Sequence, residues 1–311
     1  MDSFEMRIID AGADINAKDK YGNTPLIRAC MKGHVDVCMK LIDAGAAVNA
    51  KNSYGDTPLI LACDKGHVDV CMKLIDAGAD INAEDGNGST PLILACDKGH
   101  VDVCMELIDA GADINAKSNI LNTLLIRACY KGLVDVCMKL IDAGADINAK
   151  TGNGSTPLIR ACYKGHVDVC MKLIDAGADI NAKAVNGDTP LILACDKGHV
   201  DVCMELIDAG ADINAKSNIL NTLLIRACYK GLVDVCMKLI DAGADINAED
   251  VNGDTPLIRA CDKGHVDVCM KLIDAGANIN AKRNTADDGR TCLEQIVYKG
   301  DDLVVVLRLL S

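Results

Sequence analysis

Apolar residues along this chain fall in two short runs, each closed by a glycine, and the pair then recurs. In "TPLILACDKGHVDVCMKLIDAGADINA", from Thr57 to Ala83, the first run ends at Gly66 and the second at Gly78. Pro58 fits the first turn of a helix, where its missing N–H costs nothing. Thr57 before it can cap that turn through its hydroxyl. This predicts a helix of about seven residues that stops at Gly66, then a second from near Val68 to Gly78, with Gly78 as a left-handed cap. The polar stretch that follows, "EDGNGS", carries the Asn, Asp and Gly of a turn or hairpin.

The threonine that opens each unit falls at Thr24, Thr57, Thr90, Thr123, Thr156, Thr189, Thr222 and Thr255, always 33 residues apart. Eight full units therefore span 19–282. Before them, 1–18 contains "MRIIDAGADINA", the second half of a unit, and reads as an N-terminal half-repeat cap. After them, 283–311 reads as a divergent C-terminal capping repeat, with Thr291 coming 36 residues after Thr255. Two short helices and a turn cannot bury an apolar face alone, whereas stacked neighbours can, which predicts a solenoid.

The period, "G-x-T-P-L-x-x-A" and "G-A-D-I-N-A" resemble the ankyrin repeat over nearly the whole chain. The resemblance implies a mainly α fold: an ankyrin-repeat solenoid of stacked helix-turn-helix pairs joined by β-hairpin loops. It also implies a concave face lined by the first helices and loop tips, and a non-catalytic role in binding other proteins. One departure runs throughout. The family's "TPLH" histidine is isoleucine here, as at Ile27, Ile60 and Ile93, so the loops are expected to lose the hydrogen bonds that histidine supplies.

Composition narrows the function. With no Trp, one Phe and six Tyr, the core must be built from Ala, Ile, Leu, Val, Met and Cys. A net charge of −13 argues against nucleic acid as a partner, because phosphate binding rests on Lys and Arg. No apolar run approaches the ~18 residues that span a membrane, and the first residues do not read as a signal peptide. A cytoplasmic location, or the host cytoplasm for an effector, follows as the expectation. The 17 cysteines are odd in number and are expected to be reduced. Six units hold C-x3-H-x3-C, as in Cys30, His34 and Cys38, a spacing that suggests zinc. The cysteines fall at core positions of the repeat, however, and the helix breaks at the glycine between them, so no metal and no cofactor are expected. Nothing catalytic breaks the repeat symmetry, and a monomer is expected.

Asn87–Ala149 matches Asn186–Ala248 with one difference, Ser89 against Asp188. Within this duplicated block, units four and seven have Ile120, Leu121, Ile219 and Leu220 at a loop tip that elsewhere reads "NG". Leu124 and Leu223 replace Pro, and Leu133 and Leu232 replace His. Two readings are open: decay tolerated by neighbouring units, or an apolar contact point. A second pattern concerns the first helices. Leu61, Leu94 and Leu193 go with Asp64, Asp97 and Asp196, whereas Arg127, Arg160 and Arg226 go with Tyr130, Tyr163 and Tyr229. Positions three apart share a helix face, and Tyr and Arg are enriched in binding hot spots. Ordinary surface variation is the plainer alternative. The expected partner-binding residues are Arg127, Tyr130, Lys131, Arg160, Tyr163, Lys164, Arg226, Tyr229 and Lys230, with the four Ile-Leu tip residues. The expected partner is another protein. The alternatives are an effector or inhibitor that blocks a host protein, and a structural or designed scaffold without a specific partner.

Overall fold

The computed structural model describes residues 14–116, 123–215 and 222–282. Each 33-residue unit there holds two helices. Repeat one has α1 (Pro25–Lys32) and α2 (Val35–Asp43), and repeat two has α3 (Pro58–Lys65) and α4 (Val68–Asp76). Repeats three and four have α5 (Pro91–Lys98), α6 (Val101–Asp109), α7 (Leu124–Lys131) and α8 (Val134–Asp142). Repeats five and six follow with α9 (Pro157–Lys164), α10 (Val167–Asp175), α11 (Pro190–Lys197) and α12 (Val200–Asp208). Repeats seven and eight close the series with α13 (Leu223–Lys230), α14 (Val233–Asp241), α15 (Pro256–Lys263) and α16 (Val266–Asp274). The chain divides into two compact units, Met1–Gly152 and Asn153–Ser311, and each is a stack in which a helix pair packs on the next.

The helix limits have local causes. In every repeat the threonine before the first helix is extended, and its Oγ1 accepts the N–H of the third residue along, at 3.3–3.4 Å. That bond satisfies one of the orphan donors of the first turn. Losing proline at Leu124 and Leu223 therefore leaves α7 and α13 at full length, because Thr123 and Thr222 still cap them. Each first helix ends on a glycine with φ between 69° and 80°, a left-handed conformation that other residues adopt at a cost.

The core of each repeat is a Leu-Ile pair and an Ala-Cys pair from the first helix, with Cys and Leu from the second; Leu59, Ile60, Ala62, Cys63, Cys71 and Leu74 are all buried. The Ile in place of the "TPLH" histidine is thus a core residue. The small residues let the two helices approach closely: Sγ of Cys63 lies 3.4 Å from Sγ of Cys71, and Cys162 is as close to Cys170. Burial pushes the Cys104 and Cys203 thiols up to about 12, so they stay protonated at neutral pH. Fifteen of the described cysteines are free and buried.

The connecting loops differ from expectation in two ways. No run of strand forms among the described residues, so the connections are turns rather than β-hairpin ladders. They are also not left loose by the missing histidine. In repeats one, two, three and eight an Asp or Asn at the base of the loop accepts two backbone N–H groups of its own turn. Asp19 Oδ1 takes those of Tyr21 and Asn23 at 2.8 and 2.9 Å, and Asp85 Oδ1 takes those of Asn87 and Ser89, both at 2.8 Å. Successive loops are then joined. Gly86 N–H donates to Tyr54 O at 2.9 Å and Val185 N–H to Asn153 O at 3.0 Å. The asparagine of "VN" or "IN" adds a second tie, Asn49 Oδ1 accepting from Asp80 N–H at 2.8 Å and Asn181 Oδ1 from Asp212 N–H at 2.9 Å.

Candidate interaction surface

In each compact unit the first helices present an edge to solvent. Lys32, Lys65, Lys98, Lys131, Lys164, Lys197, Lys230 and Lys263, one from the last turn of each, are all exposed. One residue before each lysine stands Met31, Tyr130, Tyr163, Tyr229 or an aspartate. Tyr130 and Tyr229 are 37% and 41% exposed, and Tyr163 is half-buried. Two of the tyrosines are engaged by lysines of the following repeat. Lys197 Nζ lies 4.4 Å from the Tyr163 ring centroid, and Lys263 Nζ lies 4.4 Å from that of Tyr229. Both distances are within cation–π range. A hydrogen bond from Lys263 and its positive charge lower the Tyr229 phenol from its ordinary value.

The arginines separate from the tyrosines. The sequence places Arg127 and Arg226 beside Tyr130 and Tyr229 on an open face, but the structure buries both guanidinium-bearing side chains, to 8% and 9% exposure. Arg127 Nη1 donates to Asp97 Oδ2 at 2.5 Å, and Arg226 Nη1 to Asp196 Oδ2 at 2.6 Å. Each of these arginines thus reaches back to the first helix of the preceding repeat. Arg28 and Arg259 occupy the same position in repeats one and eight and turn instead to their own loops. Arg28 binds Asp19, and Arg259 Nη2 meets Asp250 at 2.5 Å and Asp254 at 3.1 Å. Asp250 is held below the usual carboxylate range: burial acts to raise it, but bonds from Arg259 and from backbone N–H groups outweigh burial. Asp19 is lowered in the same way, to about 2. Arg160 remains on the half-exposed edge with Tyr163 and exposed Lys164. The tip residues Ile120, Leu121, Ile219 and Leu220 lie outside the described residues.

The histidines of the C-x3-H-x3-C pattern do not face the cysteines. Four of them bond the last turn of the preceding first helix: His67 Nε2 donates to Met31 O at 3.3 Å, and His100 to Asp64 O, His199 to Tyr163 O and His265 to Tyr229 O at 3.1 Å. The ring sits on the glycine that ends that helix; a Cβ on Gly66 would come within 2.6 Å of the His100 ring. Among the described residues no group of three His, Cys, Asp or Glu side chains is placed to hold a metal ion. No helix there is long and apolar enough to cross a membrane.

Sequence reasoning missed Asp97 and Asp196 as partners of Arg127 and Arg226. It compared positions within one helix, whereas these pairs lie 30 residues apart in successive repeats. Reading each repeat against the one before would have found them.

A family model described as ankyrin repeats in three copies matches residues 4–85, 83–151, 125–217 and 218–310. No curated protein matches the chain.

Proposed function

Because this chain belongs to the ankyrin-repeat family, whose repeats generally mediate protein–protein interactions, we infer that it is a non-catalytic module that binds another protein across the exposed edge of its first helices. The observation that carries this reading is the exposed lysine beside Tyr130 in the first compact unit and beside Tyr163 and Tyr229 in the second. Large, stiff amphipathic rings flanked by cations are the side chains that most often dominate binding energy at protein interfaces. Arg160 belongs to this surface. Arg127 and Arg226 support it from within the stack, by holding the helices that present it.

The experiment compares proteins cross-linked to the full-length chain with those cross-linked to a variant carrying Tyr130→Ala, Tyr163→Ala and Tyr229→Ala. Circular dichroism must show the same helix content in both. A partner captured by the native chain and lost from the variant is the expected result. Capture of the same partners by both, with equal occupancy, contradicts the reading.

A further inference from the structure

Between repeats five and six the exposed edge opens into a groove of about 480 Å3, lined by Ser155, Arg160, Tyr163, Val185, Asp188 and Leu193 among others. What fills it can be read from the rest of the chain. Five described arginines share one repeat position: Arg28, Arg127, Arg160, Arg226 and Arg259. Four of them hold a carboxylate of the chain itself, as described above. Arg160 makes no ion pair among the described residues, and the sequence says why. Thr151 stands where Asp19 and Asp250 supply the carboxylate, Tyr130 stands where Asp97 and Asp196 do, and Ser155 stands where Asp254 does. All three internal carboxylates that this position uses elsewhere are missing in repeat five alone of the arginine-bearing repeats.

The surroundings add positive charge and an apolar edge. Lys164 and Lys197 are exposed, with Lys197 over the Tyr163 ring at 4.4 Å. Val185 is 74% exposed at the neighbouring loop tip. The one acid lining the groove, Asp188, is buried, and its Oδ2 accepts from Asn186 Nδ2 at 2.5 Å.

We propose that this groove receives an acidic peptide segment of a partner protein, with an Asp or Glu carboxylate on the Arg160 guanidinium and an adjacent apolar side chain against Val185. The inference rests on the protein-binding reading and deepens it by naming the chemistry recognised. A planar guanidinium matches a carboxylate in two-point geometry. The chain's net charge of −13 repels acidic peptides at long range, so retention of one requires a local site of this kind.

The test selects binders of the full-length chain from a displayed library of random dodecapeptides. The selected consensus peptide is then synthesised with its acid and with the matching amide, and both are titrated against the native chain, Arg160→Leu and Ser155→Asp. Arg160→Leu copies the residue at Leu61, Leu94 and Leu193, and Ser155→Asp copies Asp254, so both changes are ones the repeat already accommodates. The expected consensus contains an Asp or Glu next to an apolar residue. The amide peptide binds about tenfold more weakly, the loss of one charged hydrogen-bonded pair. Arg160→Leu weakens the acid peptide to the same degree and the amide peptide hardly at all. Ser155→Asp, by supplying an internal carboxylate, weakens the acid peptide with Arg160 still present. A consensus without an acid, or acid-peptide binding unchanged by Arg160→Leu, overturns the proposal while leaving the protein-binding reading in place. Failure of any peptide to bind the native chain also overturns the proposal, while the protein-binding reading is decided by the cross-linking comparison.

Discussion

Repeats two and three are joined differently from repeats three and four, although the helices are almost the same. At the first junction His100 donates to Asp64 O at 3.1 Å, and its ring rests on Gly66. At the second, Leu133 replaces the histidine, and its Cδ2 lies 4.0 Å from where a Cβ on Gly99 would be. Leucine cannot donate, so α5 loses its tie to the next repeat, and α5 and α7 run less closely together than α3 and α5. The second helices close in instead: α6 and α8 are more tightly apposed than α4 and α6, and Lys139 Nζ reaches Asp109 Oδ1 at 2.5 Å. Arg127 spans the opened side to Asp97. The copied junction between repeats six and seven shows the same set, with Leu232, Lys238–Asp208 at 2.5 Å and Arg226–Asp196. At both leucine junctions the lost hydrogen bond is accompanied by two ion pairs between successive repeats.

The largest expected effect breaks the comparison at its glycines. Gly66→Ala forces a left-handed alanine and drives its Cβ to 2.6 Å from the His100 ring. Gly99→Ala, at the leucine junction, meets only the backbone penalty of about 1–2 kcal/mol. Urea unfolding should show Gly66→Ala costing roughly 2–4 kcal/mol, overpacking added to strain, and Gly99→Ala clearly less. Equal losses would mean that the histidine ring moves aside freely.

Next in size is the removal of the arginines. Arg127→Leu leaves Asp97 without its buried cation and should cost about 2 kcal/mol. Arg28→Leu removes a side chain that is 56% exposed and should cost less than about 1 kcal/mol. Thermal melts of the two variants against the native chain decide this. A smaller effect sharpens the contrast: Leu133→His in the Arg127→Leu background should recover part of the loss, because the ring regains a carbonyl to bond. Hydrogen exchange at the end of α5 should slow in the double variant relative to Arg127→Leu alone.

Much of this was legible in the sequence, and the boundary of legibility has a physical cause. The threonine cap, the glycine stops and the helix pair are local features, encoded within a few residues, so Pro58, Thr57 and Gly66 announce α3 without reference to anything else. The absence of strand runs among the described residues was harder to read, because "EDGNGS" suits a hairpin and a bare turn equally; the choice depends on whether flanking residues pair. The exposed Tyr130 and Tyr229 and the half-buried Tyr163 were readable from the helix face they share with the lysines. The fates of Arg127 and Arg226 were not readable from that face, because an arginine side chain is long enough to reach an acid in another repeat. The isoleucine in place of the "TPLH" histidine illustrates the same point. Its neighbours on the chain suggested weaker loops, whereas Asp19, Asn52 and Asp85 supply the backbone bonds from another position.

The smallest expected effect is on pH. Asp19 and Asp250 sit below their ordinary values in the fold, so their contribution is fully present above about pH 4, the value of an unfolded aspartate, and is lost as pH falls through the folded value. For Asp19 that window runs down to about 2. The melting temperature of the native chain should fall across it more steeply than that of Asp19→Asn, and parallel curves would contradict the assignment.

A double-mutant cycle on Arg127→Leu and Asp97→Ala tests most directly whether Arg127 serves the junction between repeats, the role that sets it apart from Arg160. Unfolding free energies of the native chain, both single variants and the double variant should give a coupling of about 1 kcal/mol or more, as for residues in contact. Additive losses would show that Arg127 does not hold Asp97, and the two classes of arginine would collapse into one.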